Sequence, residues 1–141
     1  MRVLVTGGRH YHFKDAVFIV LDSISVRRGI ECVIHGGATG ADAMAAAWAT
    51  SRRVPAVACP ANWKMDGKMA GLIRNSAMLR DHAIDMVLAF PGGRGTADMV
   101  RKAKAACVLV VAAEDVADWL DLDSWAKDQW RDLVTSGQGW G

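Results

Sequence analysis

The feature that most constrains this chain is an alternation. Short β-branched runs, most of them closing on glycine, are followed by longer segments with helical spacing of apolar residues. Residues 2–6 read as a strand ending on Gly7-Gly8, and 14–28 as a helix stopped by Gly29. Residues 31–35 read as a strand ending on Gly36-Gly37, 41–53 as an alanine-rich helix, and 55–59 as a third strand. Residues 66–81 read as a helix entered through Asp66-Gly67, and 85–90 as a strand ending on Pro91-Gly92-Gly93. A helix over 96–106 and a fifth strand over 107–111 complete the series. Strand, glycine loop and helix in repetition predict βαβ units on a parallel sheet. Right-handed crossovers then bring every strand-to-helix loop to one edge, where open α/β sheets bind ligands. The expected fold is α/β: a Rossmann-like open parallel sheet of about five strands with helices on both faces, plus a C-terminal helical tail.

The chain has 141 residues, enough for one core without disulfide or metal support. With 52% hydrophobic and 23% charged residues it is not a disordered tail. Its longest apolar run, residues 105–113, is far too short to span a membrane. The first residues lack a signal-peptide layout, and Cys32, Cys59 and Cys107 lie in apolar stretches without metal spacing. These features predict buried thiols and a cytoplasmic protein. Charge is uneven. Residues 1–113 hold fifteen basic against eight acidic side chains, +7, whereas residues 114–141 hold two against seven, −5. The expected organisation is a Rossmann-like domain over 1–113 and an acidic, tryptophan-containing helical tail over 114–141. A helix is expected over 118–134, packed on the body or on another subunit, with residues 136–141 frayed. A basic body points to an anionic ligand or partner or to solvated surface, and the charge split alone favours neither.

Glycine lets backbone N–H groups approach a ligand, and a helix starting just beyond adds unpaired amides and a favourable dipole. Pro91-Gly92-Gly93-Arg94-Gly95-Thr96 fits this best as a phosphate-binding loop, with Thr96 capping the helix or donating its hydroxyl to phosphate. A Walker loop is excluded, because Asn62 stands where Gly67-Lys68 needs its upstream glycine and Met69 replaces the Ser or Thr. The dinucleotide fingerprint is missing after the first strand, where Gly7-Gly8 runs into Arg9-His10-Tyr11-His12. In the second loop Gly36, Gly37, Ala38 and Gly40 open the backbone, and Asp42 serves either as a dipole-favoured cap or as an acceptor for a sugar hydroxyl. Arg9 and Arg74 are candidate phosphate contacts, and Asn75 a donor or acceptor to loop backbone. The Trp63 ring either stacks on a base or belongs to the core. His35 reads as a structural histidine, and the stretch from His10 to His12 as a mobile loop over the ligand rather than a metal site. No metal and no cofactor are expected.

Taken in order, Val5-Thr6-Gly7-Gly8-Arg9, His35-Gly36-Gly37-Ala38-Thr39-Gly40-Ala41-Asp42, Arg74-Asn75-Ser76-Ala77-Met78 and Phe90-Pro91-Gly92-Gly93-Arg94-Gly95-Thr96-Ala97-Asp98-Met99 resemble the SLOG superfamily. Within it, residues 2–111 are most similar to the YspA, cpYpsA-related branch found in bacteria and their phages. The resemblance implies a Rossmann-like fold that binds nucleotides or nucleotide-derived ligands. The LOG phosphoribohydrolases of this superfamily cleave the N-glycosidic bond of nucleoside 5′-monophosphates and carry P-G-G-x-G-T-x-x-E with an upstream R-K-x-x-M. Pro91, Gly92, Gly93, Gly95, Thr96, Arg74 and Met78 match these patterns, but Asn75 replaces the lysine and Met99 the glutamate. Methionine cannot stabilise the positive charge that develops on ribose during cleavage.

Two functions follow. The first is a protein that senses or sequesters a nucleotide-like signal. The second is a hydrolase in which Arg74 and Asp98 are catalytic, Asp98 standing in for the missing glutamate. Single-strand nucleic-acid binding is a third class. The sequence argues against it, because Arg27-Arg28 and Arg52-Arg53 are isolated pairs without interleaved aromatics. A homo-oligomer and no membrane association are expected.

Overall fold

The computed structural model describes residues 1–138. Five strands form one all-parallel sheet: β1 (Arg2–Thr6), β2 (Cys32–His35), β3 (Ala56–Ala58), β4 (Met86–Ala89) and β5 (Leu109–Ala112). Their order is β3-β2-β1-β4-β5, so the direction of winding reverses between β1 and β4. The helices are α1 (Lys14–Arg28), α2 (Ala41–Arg52), α3 (Trp63–Asp66), α4 (Ala70–Asp81), α5 (Arg94–Ala105), α6 (Val116–Trp119) and α7 (Ser124–Ser136). Among the described residues no helix is long and apolar enough to cross a membrane.

Alternation along the strands builds two cores. Val3, Val5, Met86, Leu88 and Phe90 point to one face, where they pack with α1, α2, α6 and α7. Leu4, Ile34 and Val87 point to the other face, against Met78 of α4 and Met99 and Ala103 of α5. The alanine-rich reading of α2 has a direct use. Ala41, Ala45 and Ala49 are fully buried, and their small size lets α2 lie close to the sheet and to α1.

The tail continues the first core. Val116, Ala117, Leu120, Trp130, Leu133 and Val134 are buried in the same cluster as β1 and α1, so Trp130 packs on its own body. Its indole N–H donates to Ala113 O at 2.7 Å.

Several boundaries differ from expectation for local backbone reasons. The helix expected over 66–81 opens at its expected turn, Gly67 at φ +59°, as a 3-10 turn (Gly67–Met69) and becomes α4 only at Ala70, while the unexpected α3 precedes it. The tail helix expected over 118–134 is split into α6 and α7 around Asp121, at φ +55°. The fifth strand starts two residues late because Cys107 adopts φ +60° in the turn that ends α5. That turn leaves Cys107 exposed, not buried as expected; Cys32 is buried and Cys59 half-buried. Gly137 closes α7 in a left-handed cap, its amide donating to Leu133 O and that of Gln138 to Asp132 O. The backbone is therefore ordered through Gln138, and the fraying expected at Gly139, Trp140 and Gly141 lies outside the described residues.

Candidate functional site

The reversal of winding between β1 and β4 separates the loops that follow them and opens a crevice at the C-terminal edge of the sheet. The loops are nonetheless tied to each other by backbone bonds. Gly8 N–H donates to Pro91 O at 2.9 Å, joining the loop after β1 to the loop after β4. Gly8 O accepts from Ala41 N–H at 3.2 Å, and Arg9 O from the Thr39 hydroxyl at 3.1 Å, joining the first loop to the second. Two glycines make this approach possible. Gly40 has φ +74°, and a side chain there would collide with Gly8 O. A Cβ on Gly92 would strike the Thr96 hydroxyl and lie 2.7 Å from Gly8 N. The three glycine loops, far apart in sequence, thus meet at one rim as the βαβ pattern predicts.

They border a cleft of ≈ 850 Å³, of the size that holds small-molecule ligands. Gly7, Gly8 and Arg9 line it from the β1 side, and Pro91, Gly92, Gly93, Arg94, Gly95 and Thr96 from the β4 side. From the second loop only Ala38 and Asp42 reach the lining; Gly36, Gly37 and Gly40 lie outside it. Arg74 and Asn75 of α4 complete the residues anticipated from sequence.

The turn into α5 carries the anion-binding character. The helix starts at Arg94, two residues earlier than expected, and its N-cap is Gly93, with no side-chain cap bond. Thr96 is therefore not the cap; it is the third residue of the helix, its hydroxyl beside Gly92. The first amide of this segment to find a helical acceptor is that of Ala97, bonded to Gly93 O at 3.0 Å. The amides of Arg94, Gly95 and Thr96 precede it and have no intrahelical acceptor. All three residues line the cleft, with the dipole of a 12-residue helix behind them.

Arg74 is half-buried and braces the opposite wall. Its Nη1 donates to Gly36 O and Cys59 O, and its Nε donates to Asn75 Oδ1 at 3.1 Å. Burial lowers its pKa, opposed by the nearby Asp42 carboxylate. Of the two roles left open for Asp42, the structure excludes the cap. Asp42 does not cap α2, whose N-cap is Gly40 without a side-chain bond. Instead its Oδ2 accepts from the amides of Gly36 at 3.0 Å and Ala38 at 3.2 Å, while Oδ1 takes neither. Burial raises the Asp42 pKa despite those amides and the charges of His35 and Arg74. His35 is buried, and its Nδ1 accepts from Gly37 N–H at 3.0 Å. Burial lowers its pKa.

Asp98 is placed outside the cleft lining. Its buried carboxylate lies between α4 and α5, where Oδ1 meets Arg101 Nη2 at 2.6 Å and Oδ2 meets Lys102 Nζ at 2.9 Å. Asn75 Nδ2 donates both to Asp98 Oδ2 at 3.1 Å and to Gly95 O at 3.0 Å. Met99, at the position of the LOG-type glutamate, is fully buried in the second core. Asp98, Asn75 and Arg74 thus form a chain of polar contacts that holds α4 against the first turn of α5. Burial works to raise the Asp98 pKa, but hydrogen bonds from Lys102 and Asn75 and the charges of Lys102 and Arg101 outweigh it and hold it low.

Sequence reasoning missed part of the lining. Lys68, Met69, Gly71 and Leu72 enter from the 3-10 turn and the start of α4. All four fall within the helix expected over 66–81, and the one local signal of a break there is Gly67, at φ +59°. Trp63, left between base and core, lines the cleft and is half exposed, with the Arg9 guanidinium 4.8 Å from its ring centroid. In the stretch expected as a mobile loop, His10 and His12 are exposed and Tyr11 between them is anchored. Tyr11 is buried against Phe90, and its hydroxyl donates to Val134 O at 2.6 Å. Among the described residues, the cleft lining carries four basic side chains, Arg9, Lys68, Arg74 and Arg94, against the one carboxylate of Asp42.

Comparison with known proteins agrees with this architecture. Residues 1–65 match the sequence profile of the YspA, cpYpsA-related SLOG family. The Gene 61 protein of Mycobacterium phage D29 is 39% identical over 118 residues, spanning 78% of this chain and 94% of that protein. The X-ray structure of TM1055, a structural-genomics target, superposes with a TM-score of 0.62 at 17% identity, covering 77% of this chain and 71% of that one. The last likeness speaks to the fold alone.

Proposed function

The chain belongs to the YspA, cpYpsA-related SLOG family, and from that premise we propose that it binds a nucleotide or nucleotide-derived ligand as a sensor or sequestering protein. The ligand's phosphate sits on the turn into α5. One observation carries the reading: Arg94, Gly95 and Thr96, whose amides have no helical acceptor, line a cleft that is cationic and bordered by glycine loops. Each amide donates to a phosphate oxygen, Arg74 and Arg94 supply charge, and the free oxygen of Asp42 accepts from a ribose hydroxyl. Binding is favoured over hydrolysis because Asp98 is committed to Asn75, Arg101 and Lys102 outside the lining.

Calorimetric titration with AMP and other nucleoside monophosphates tests the proposal. Saturable heat is expected, with affinity falling as salt rises. Arg74→Ala is expected to weaken AMP about tenfold, the scale of one lost charge-assisted bond. Folded protein that gives no heat with any nucleotide overturns the reading. Incubation with AMP followed by chromatography should recover AMP intact; free adenine would assign the site to the hydrolytic class instead.

A further inference from the structure

On the nucleotide-binding reading above, we infer that the indole of Trp63 is the platform on which the ligand's base stacks, covered on its open face by Arg9. This residue makes the cleft select nucleotides over bare sugar phosphates. The contrast among tryptophans is informative. Trp48 and Trp130 are fully buried and Trp125, 58% exposed, lies away from the cleft on α7, whereas Trp63 is 48% exposed and lines the cleft. Its backbone is fixed, because Asn62 caps the short α3 through its side chain, accepting from Met65 N–H at 3.1 Å. The ring's far edge overhangs Gly71, where even a methyl group would lie 3.6 Å from Cη2.

Arg9 shows what the indole face accepts. Its guanidinium, a flat cation, lies 4.8 Å from the ring centroid. The Arg9 carbonyl is held by Thr39, so the long exposed side chain is the part free to move. A nucleobase is planar and of similar thickness. It enters by lifting the guanidinium off the indole, ending between the two planes or in place of the cation. Either arrangement replaces one stacking contact with another and adds burial of the base. A ribose phosphate has no planar group to offer the ring and gains nothing from it. Stacking on an aromatic side chain is sequence-tolerant, so the platform selects for the presence of a base rather than its identity.

Calorimetry with AMP and ribose 5-phosphate on the wild type, Trp63→Ala and Trp63→Phe separates the possibilities. The wild type is expected to bind AMP about tenfold or more tightly than ribose 5-phosphate. Trp63→Ala should bring AMP down to the ribose 5-phosphate level while leaving ribose 5-phosphate unchanged, and Trp63→Phe should restore most of the difference. If the wild type binds both ligands equally, or if Trp63→Ala weakens both alike, the platform is refuted and the phosphate site stands. If neither ligand binds, the phosphate site and the platform fall together.

Discussion

Asp98 offers the sharpest test of how the site is held. Its side chain is 4% exposed and meets three donors: Arg101 on one oxygen, Asn75 and Lys102 on the other. Arg101 is 72% exposed, so its bond contributes little. The other two are bonds to a charged acceptor, worth roughly 1.5–3 kcal/mol each before discounting the partial exposure of Lys102. Asp98→Ala strands neither donor, because Asn75 Nδ2 keeps Gly95 O and Lys102 Nζ keeps Leu72 O at 2.8 Å. The expected loss is therefore about 2–3 kcal/mol, the bonds plus a small cavity. Asp98→Asn is subtler. Every neighbour is a donor, so one side of the new amide must point its NH2 at a donor. The favourable flip keeps oxygen toward Asn75 and Lys102 and turns NH2 toward Arg101, which swings into water. That variant should lose only about 1 kcal/mol. At about 3 °C per kcal/mol for a chain of this size, melting followed by circular dichroism should fall by ~6–9 °C for alanine and ~3 °C for asparagine. The pH dependence supplies a second check. The carboxyl is held below its ordinary value of 3.8, so its stabilisation is complete above that value and disappears as pH falls through the lowered one. The gap between wild type and Asp98→Asn should thus stay constant near neutrality and close in acid. An alanine variant within about 0.5 kcal/mol of wild type, or a gap indifferent to acid, would refute this account of the network.

Two further outcomes follow from single contacts. Tyr11→Phe removes the only donor described for Val134 O, which lies in the last turn of α7 and has no helical partner. Chemical denaturation should show a loss of about 1–3 kcal/mol, and no loss would mean that water satisfies that carbonyl. Gly92→Ala puts a methyl group against the Thr96 hydroxyl and Gly8 N–H, so the two rims must separate. Titration should show AMP affinity reduced by about tenfold or more at a stability loss of about 1–3 kcal/mol, and unchanged affinity would place the phosphate elsewhere.

Much of the fold was legible because its signals are local. Runs such as Val3-Leu4-Val5 and Val87-Leu88 are buried on both faces of a parallel sheet, and paired glycines mark where the chain must turn. The handedness of crossovers then forces the loops to one edge, so the meeting of Gly7-Gly8 with Pro91-Gly92 was implied before any coordinate was known. Helix ends were less legible. Thr96 looks like a cap, yet α5 begins at Arg94 with Gly93 as its N-cap, just beyond the turn that Gly8 N–H ties down at Pro91 O.

What the residues alone determined was the kind of protein: an open parallel sheet, glycine turns at one rim and amides available for an anion. Side-chain commitments were decided by the tertiary structure. Asp42 turned its carboxylate to the amides of Gly36 and Ala38, and Asp98 turned away to Asn75 and Lys102. Trp63, open between base and core in the sequence, became a wall of the cleft with its ring beside Gly71. Periodicity along the chain reports which face a residue occupies, but a polar side chain takes its partner from whatever packing brings within about 3 Å. Those partners come from segments distant in sequence, and only the assembled fold brings them into contact.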